Sequence, residues 1–210
     1  MSTMKSRRPM ARHSRREEYS ETTRAALVTS ALEMFAESGY ADASLDAIAS
    51  AARVTKGALY HHFPGGKKAL FMAAFDEIER QVHERLLSAG AAEQGSPWDA
   101  ARAGLRAFLD ICLEPTYRRI VWQEGPHVMG FGDCWEREER HSVGLIRSFL
   151  AKLMDAGQIE RLPLDPLART LSGALAGAAT AMSIAEDPQR VRAEFEQVIA
   201  RLLAGLRPLA

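Results

Sequence analysis

Apolar residues recur at helical spacing along this 210-residue chain, and this periodicity constrains its fold more than any other feature. Within residues 20–38, Leu27, Ala31 and Phe35 lie four positions apart, and Gly39 follows as a stop signal. No stretch shows the sustained apolar–polar alternation that predicts a strand, and the sequence contains no Asn-Gly or Asp-Gly hairpin turn. The sequence therefore predicts an all-α protein.

Later helix starts are marked by a capping side chain directly before proline. Three dipeptides predict helices that begin near residues 97, 166 and 188: Ser96-Pro97, Asp165-Pro166 and Asp187-Pro188. Another helix is expected from about 133 to 155, ending at Gly157. Glycine and proline interrupt the helical pattern just before it, in the segment EGPHVMGFGD.

Composition excludes several classes of protein. With 47% apolar and 26% charged residues, the chain is not disordered throughout. The longest uncharged stretch covers residues 170–185, which is shorter than the roughly 20 apolar residues of a membrane span. No apolar segment follows the basic N-terminus, and Cys112 and Cys134 form neither a disulfide framework nor a C-x-x-C pair. We therefore expect a cytoplasmic protein without a membrane partner.

Charge is balanced overall but unevenly distributed. The 27 Lys and Arg residues match 27 Asp and Glu residues, which taken alone argues against a nucleic-acid partner. Residues 1–75, however, carry 11 basic and 7 acidic residues, a net charge of +4, whereas residues 76–210 carry 16 and 20, a net charge of −4. Such asymmetry favours nucleic-acid binding by the N-terminal part.

Residues 45–63, LDAIASAARVTKGALYHHF, show the pattern of two short helices joined by a tight turn. Ser44 can cap the first helix and Thr55 the second, and the turn falls at Arg53-Val54. Apolar residues at helical spacing define the buried sides of both helices: Leu45, Ile48, Ala49 and Ala52, then Leu59 and Phe63. This is the helix-turn-helix pattern, whose second helix lies in the major groove of DNA.

The outward side of the second helix carries groups that suit DNA contact. Gly57 and Ala58 permit a close approach of the backbone, and the other residues offer hydrogen-bonding groups: Thr55, Lys56, Tyr60, His61 and His62. Lys67 and Lys68 follow at the start of the next helix, where phosphate binding is favoured. Adjacent histidines point about 100° apart on a helix, and no carboxylate is spaced to complete a site, so no metal is expected.

The stretch from about Thr22 to Glu79 resembles the DNA-binding domain of the tetracycline-repressor (TetR) family. The strongest match is TKGALYHHFPGGKKALF, and ALVTSALEMFAESGY resembles the family's first helix. The resemblance implies that the second helix faces DNA through Thr55, Lys56, Gly57, Tyr60 and His61, with Ser44 and Lys67 on phosphates. Two departures stand out: Arg53 replaces a frequent glycine, and the Gly65-Gly66 pair makes the loop one residue longer than the common form.

The prediction divides the chain into three parts: a basic disordered arm at 1–19, a three-helix DNA-binding domain at 20–80 and a helical ligand-binding and dimerisation domain at 81–210. The arm either remains a tail or enters the minor groove. Its cations are Lys5, Arg7, Arg8, Arg12, Arg15 and Arg16.

The larger C-terminal part contains all three tryptophans. Its aromatic residues either fill a core or, with the broken segment between helices, line a small-molecule pocket. The sequence RIVWQEGPHVMG, followed by Trp135 and EREERH, resembles the regulatory half of one subgroup of the family. That resemblance implies a pocket for a ligand that lowers DNA affinity. The candidate residues are Phe108, Cys112, Trp122, His127, Met129, Phe131, Trp135 and Met182.

The last two predicted helices suit a homodimer. Residues 188–207 carry an apolar stripe, and residues 166–185 place Gly173, Gly177 and Ala181 at four-residue spacing, which permits a close helix approach. Both helices either pack only within their own domain or form a four-helix interface with a second copy. We favour the interface, because a two-fold palindromic operator requires a dimer and the family resemblance implies one.

These observations together predict a sequence-specific DNA-binding transcriptional regulator, a repressor released from double-stranded operator DNA by a small-molecule effector. An enzyme is the second hypothesis, but the sequence contains no G-x-S-x-G, H-E-x-x-H or phosphate-loop motif, and no cofactor is expected. A third hypothesis is a DNA-binding protein that responds to oxidation of Cys112 or Cys134, which lie 22 positions apart.

Overall fold

A computed structural model describes residues 15–93 and 95–208, apart from the side chains of residues 15–17, 131, 134, 135 and 138–141. Every regular element in these ranges is a helix, which confirms the all-α prediction. None of the described helices is long and apolar enough to cross a bilayer. The α-helices are α1 (Arg15–Asp42), α2 (Leu45–Ala51), α3 (Lys56–His62), α4 (Gly66–Ala92), α5 (Pro97–Ile111), α6 (Pro115–Tyr117), α7 (Gly125–Met129), α8 (Phe131–Asp155), α9 (Leu164–Ile184) and α10 (Pro188–Ala204), and a π-helix (Arg118–Glu124) joins α6 to α7.

The first helix begins at Arg15, earlier than the expected start at residue 20. Arg and Glu in the run RREE are good helix formers, and the hydroxyl groups of Thr22 and Thr23 donate to carbonyls four residues earlier. Gly39 interrupts the helix where the sequence predicts a stop, with φ 80° and ψ 171°. Most cations of the predicted arm lie outside the described residues: Lys5, Arg7, Arg8 and Arg12.

Two of the three predicted cap–proline starts are confirmed. The Ser96 side chain accepts from the N–H of Asp99, and the Asp99 carboxylate accepts from the N–H of Ser96, which completes a capping box. The Asp187 carboxylate accepts from the N–H of Arg190, 3.1 Å away, at the start of α10. These caps satisfy amide groups that a helix N-terminus otherwise leaves without partners.

The third predicted start, Asp165-Pro166, is wrong in detail. The helix α9 begins at Leu164, and Pro163 takes the N-cap position without a side-chain cap. Asp165 instead lies in the first turn, where the helix dipole favours an acidic residue. Its carboxylate pairs with the guanidinium of Arg147 on α8 at 2.8 Å, so a contact between helices replaces the local cap.

The N-terminal core is formed where α1, α2, α3 and the first half of α4 meet. Ile48 of α2 and Leu59 of α3 are fully buried, as their spacing predicts. Phe35 and Tyr40 pack against Phe71, with ring centroids 5.2 and 5.3 Å from the Phe71 ring in edge-to-face geometry. This aromatic cluster holds the end of α1 against α4, and so positions the two short helices between them.

The helix α4 connects the two halves of the molecule. Its 27 residues extend for about 40 Å and pass through the boundary expected between residues 80 and 81. Near its end, a Cβ on Gly90 would come within 2.8 Å of the Phe149 ring, and Gly104 of α5 approaches the same ring. Absence of a side chain at Gly90 thus lets α8 pack closely on α4.

The last two helices each leave an apolar face exposed. On α10, Ile199 and Leu203 are buried, while Val198 and Leu202 of the same predicted stripe are each 55% exposed. On α9, Gly173 and Gly177 face open space, since a Cβ at either position would meet no atom within 4 Å. Glycine lowers helix stability by roughly 1 kcal/mol relative to alanine. Because neither glycine makes room for a neighbour, contacts within the described chain do not explain why glycine occupies these positions.

Candidate nucleic-acid interface and interior cavity

The two short helices form the predicted helix-turn-helix, and both predicted caps are present. The Ser44 hydroxyl accepts from the N–H of Ala47 at 3.5 Å, and the Thr55 hydroxyl accepts from the N–H of Ala58 at 3.2 Å. Between the helices, Arg53 has a left-handed φ of 56°, the conformation that its place in the turn requires. The caps and this turn set the direction in which α3 leaves α2.

One side of α3 is buried and the other is exposed. Leu59 and Phe63 are 0% and 3% exposed, which confirms their assignment to the core. The residues predicted to contact DNA lie at the surface or partly so, and Tyr60 is 44% exposed. A Cβ on Gly57 would meet only the Thr55 hydroxyl, at 3.9 Å, so the backbone at this point is open to a close approach. Of the predicted set, Ser44, Thr55, Lys56, Gly57, Tyr60 and His61 are exposed, and Ala58 and Lys67 are half-buried.

Lys56 forms an ion pair with Asp46 of α2, with Nζ 2.8 Å from Oδ1. This hydrogen bond and the charge of Asp46 raise the pKa of the Lys56 ammonium group, so it is charged at neutral pH. Both side chains are more than half exposed, and the pair therefore contributes little to stability. Asp46 thus holds the Lys56 ammonium group at the N-terminus of α3.

The two lysines at the start of α4 differ in their surroundings. The Lys67 ammonium group donates to the carbonyl of Ala41 at 2.8 Å and lies 4.9 Å from the centre of the Tyr40 ring. It thereby ties α4 to the end of α1. Lys68 is exposed. The sequence assigns the phosphate contact to Lys67, and the structure makes Lys68 the more accessible of the two.

Arg24 is a cation near α3 that the sequence reasoning missed. It is exposed on α1, and its guanidinium carbon lies 5.2 Å from the centre of the Phe63 ring. Beside it, burial lowers the pKa of His62, with smaller contributions from His61 and Arg24. Arg24 and Phe63 are 39 positions apart in the sequence, so only the packing of α1 against α3 brings them together.

A cavity of about 110 Å³ lies inside the C-terminal half. Six helices line it, five of them with residues at helical spacing and α6 through Tyr117, and aliphatic and aromatic side chains dominate. Most of these side chains are almost completely buried, so the space is interior. The apolar lining includes Val82, Leu86, Leu105, Phe108, Leu145, Phe149, Leu150, Leu153, Leu171, Ile199 and Leu203.

Five polar side chains also line the cavity, among them one carboxylate. Glu79 is 3% exposed, and His83 lies one turn further along α4 on the same side. The others are Tyr117, Ser142 and Ser172. The sequence analysis did not select Glu79, although a signal exists: it stands in the stripe of α4 that otherwise holds Phe75, Ile78 and Val82.

The residues predicted to bind a ligand do not converge on this cavity. Phe108 lines it. His127 lies instead in a surface groove between the end of α1 and α7, where its ring contacts the Gln123 carbonyl at 2.7 Å. The side chains of Phe131 and Trp135 lie outside the described residues, as does that of Cys134. Buried elsewhere in the core are Cys112, Met129 and Met182.

Trp122 is also absent from the cavity lining. It packs edge-to-face on Tyr117, with ring centroids 6.5 Å apart, and its indole nitrogen is buried without a hydrogen-bond partner among the described residues. Tyr117 lines the cavity, so Trp122 lies behind the wall rather than in it.

The π-helix contacts the end of α1 through a set of polar bonds that we call the α1 clasp: Arg119, Glu124 and the backbone at 36–40. Arg119 Nη1 donates to the carbonyls of Ala36 and Glu37, both at 3.0 Å. The Glu124 carboxylate accepts from the N–H of Tyr40 at 3.3 Å. A Cβ on the intervening Gly39 would lie 2.7 Å from both side chains, so the clasp requires glycine there. Gln123, in the same π-helix, donates to the Ser183 carbonyl of α9 at 2.8 Å.

An exposed helix-turn-helix joined by one long helix to a helical domain with an interior cavity defines a class of protein: DNA-binding transcriptional regulators. Residues 27–74 match the family described as "Bacterial regulatory proteins, tetR family". Residues 98–206 match the family described as "Tetracyclin repressor-like, C-terminal domain". The chain belongs to the TetR family.

Individual relatives agree with this assignment. The transcriptional regulator TtgR of Pseudomonas putida is 32% identical over 154 residues, which cover 69% of this chain and 72% of TtgR. The TetC protein of transposon Tn10 in Escherichia coli is 27% identical over 78% of this chain and 82% of its own length. A crystal structure of a TetR-family transcriptional regulator from Pectobacterium atrosepticum is 33% identical, with a TM-score of 0.81 over 94% of this chain and 99% of that one. The chain is a DNA-binding transcriptional regulator.

Proposed function

We propose that this protein is a homodimeric repressor that leaves a palindromic operator when a small molecule occupies the cavity of its C-terminal domain. The observation that carries the proposal is the exposed, capped helix α3 joined through α4 to a buried cavity. In this proposal, residues 20–80 form the DNA-binding unit, and residues 81–210 form the unit that binds the effector and dimerises. The helix α4 belongs to both units. The proposal assigns the chain no catalysis and places it in the cytoplasm, where bacterial DNA is found.

The DNA contacts that we propose follow from exposure and charge. Thr55, Gly57, Tyr60 and His61 are positioned for base edges and nearby phosphates, and Lys56 exchanges Asp46 for a phosphate. Release of counterions by these cations makes the affinity dependent on salt. Ser44 and Lys68 or Lys67 extend the contact to the flanking backbone, and Arg24 supplies a further cation from α1.

The effector acts by favouring the arrangement of the dimer that cannot hold both half-sites. The coupling in such systems is typically about 5–150-fold in affinity. The cavity supports this proposal, because its lining comes from α4 as well as from α9 and α10. A ligand that moves α4 at the cavity also moves the start of α4, which carries Leu70 and Phe71 of the N-terminal core.

The function is tested by selecting bound DNA from a random pool with the full-length protein at low salt. We expect a palindromic sequence whose half-sites are about one helical turn apart or a multiple of it. Lys56→Ala should weaken binding to that sequence and reduce the salt slope by about one. Lys152→Ala, which removes an exposed lysine of α8, is the matched control and should change neither value. Failure to enrich any sequence would overturn the proposal.

A further inference from the structure

An acidic side chain lies on the surface through which α3 is proposed to meet DNA. Asp46 belongs to the first turn of α2, and both of its carboxylate oxygens contact the Lys56 ammonium group, at 2.8 and 3.1 Å. The side chains of Asp46 and Lys56 are 64% and 57% exposed, so the pair faces solvent. Lys56 shares its side of α3 with Tyr60, which lies one turn further on and is also exposed. A carboxylate at this place repels the phosphates of a duplex.

Stability explains only part of this ion pair. An acidic residue in the first turn of a helix is favourable, which suits Asp46 on α2. A lysine at the first position of α3 is unfavourable for the same reason, and an exposed ion pair contributes little to folding. The free protein therefore carries Lys56 on its DNA-facing side with the positive charge already neutralised.

We propose that Asp46 is a specificity-determining residue, which keeps Lys56 from phosphates of DNA that lacks the operator sequence. Binding to DNA of arbitrary sequence is almost entirely electrostatic, whereas operator binding adds contacts to base edges. Base contacts draw α3 into the major groove, and their energy offsets the separation of Lys56 from Asp46. On other DNA nothing offsets that separation, so the pair stays closed. The inference rests on the proposed function, which gives Lys56 its phosphate contact in the operator complex.

The inference is tested by titrating the full-length protein with a random-sequence duplex and with the selected operator at several salt concentrations. Asp46→Asn removes the charge and keeps a side chain of similar shape. We expect affinity for the random duplex to rise about three- to fivefold, the upper part of the range for an exposed ion pair. The slope of log affinity against log salt should steepen by about one, because Lys56 then neutralises a phosphate.

The operator should respond less than the random duplex. Lys56 already contacts a phosphate in that complex, so Asp46→Asn removes only the remaining repulsion. We expect a gain of less than about twofold and an unchanged salt slope. The ratio of operator affinity to random-duplex affinity should therefore fall.

Two further variants separate the charge at this place from the net charge of the molecule. Asp155→Asn makes the same change of one charge in an exposed pair with Arg161 on the C-terminal half, and should change neither affinity nor slope. Lys56→Gln combined with Asp46→Asn should lose the steeper slope, because no lysine is then released. Loss of the favourable helix-dipole contact of Asp46 cannot imitate the expected result, since a destabilised helix-turn-helix binds DNA less tightly. Thermal unfolding of each variant measures that loss.

The outcomes distinguish this inference from the proposed function. If a palindrome is enriched but Asp46→Asn leaves the random-duplex affinity unchanged, lowers it, or raises both affinities equally, the inference is overturned and the proposed function stands. If no palindrome is enriched, the proposed function fails, and the inference fails with it. If a palindrome is enriched and Asp46→Asn raises only the random-duplex affinity and slope, both stand.

Discussion

At the scale of single residues, the backbone conformation of Arg53 forms the turn that joins the two helices of the helix-turn-helix. Its φ of 56° lies in the left-handed region, which costs a residue other than glycine about 1–2 kcal/mol. The turn bonds nevertheless form, from the N–H of Arg53 to Ser50 and from the N–H of Val54 to Ala49. Arg53 thus adopts a strained backbone conformation, and its exposed side chain places a cation just before α3.

This balance can be measured with Arg53→Gly. The free energy of unfolding should rise by up to about 1 kcal/mol, because the relief of strain exceeds the added flexibility of the unfolded chain. Operator affinity should fall, since a cation is lost near the duplex. Chemical denaturation and binding at several salt concentrations measure the two effects. Arg53→Lys keeps both the charge and the strain, and a similar stability gain in that variant would contradict the explanation.

At the scale of elements, α9 and α10 leave apolar side chains exposed, which supports the proposed interface between two copies. The exposed side of α10 carries Val198 and Leu202, and that of α9 carries Ile184, which is 80% exposed. Gly173 and Gly177 leave the backbone of α9 open to a close approach. The proposed four-helix interface between two copies would cover these groups.

The interface predicts a specific effect of Leu202→Glu. Burial of an unpaired carboxylate is strongly unfavourable, so the dimer should dissociate and the molecular mass in solution should fall by half. Operator affinity should fall with it, because a monomer holds only one half-site. Sedimentation and operator titration measure both. Leu87→Glu alters a comparably exposed leucine on α4 and should leave the dimer intact; an unchanged mass for Leu202→Glu would exclude this interface.

At the scale of the whole molecule, the α1 clasp and α4 provide two separate connections between the halves. The helix α4 is a continuous covalent connection, whereas the clasp consists of polar bonds from Arg119 and Glu124 to the end of α1. The same π-helix contacts α9 through Gln123 and Ser183. In the proposed dimer, the π-helix therefore connects α9 to α1 by a route that does not pass through α4.

The clasp predicts that Arg119→Ala loosens a distant part of the sequence. Amide hydrogen exchange at residues 36–41 should accelerate by about tenfold, since the carbonyls of Ala36 and Glu37 lose a charged donor. Exchange in α5 should not change. Arg161→Ala removes an exposed arginine paired with Asp155 and is the control. Equal exchange in wild type and Arg119→Ala would show that the clasp does not hold the end of α1.

Much of the fold was predictable because it depends on short-range interactions. The caps at Ser44, Thr55 and Ser96 and the break at Gly39 each involve groups within a few residues of one another. Asp165 is the exception that shows the limit, since its partner Arg147 belongs to another helix and replaces the expected local cap. Whether the predicted DNA-contact residues touch DNA stays a prediction, although most of them lie exposed on one helix.

The ligand-site residues were less predictable, for a physical reason. Aromatic content pointed to the C-terminal part of the chain, but which helical faces converge on empty space depends on the packing of six helices. By itself, the sequence determined the all-α class, the helix-turn-helix and the uneven charge, because helix periods, caps and charge counts are local or additive. Only the tertiary structure decided that Glu79 lines the cavity and that Arg119 reaches α1, because those contacts join residues tens of positions apart.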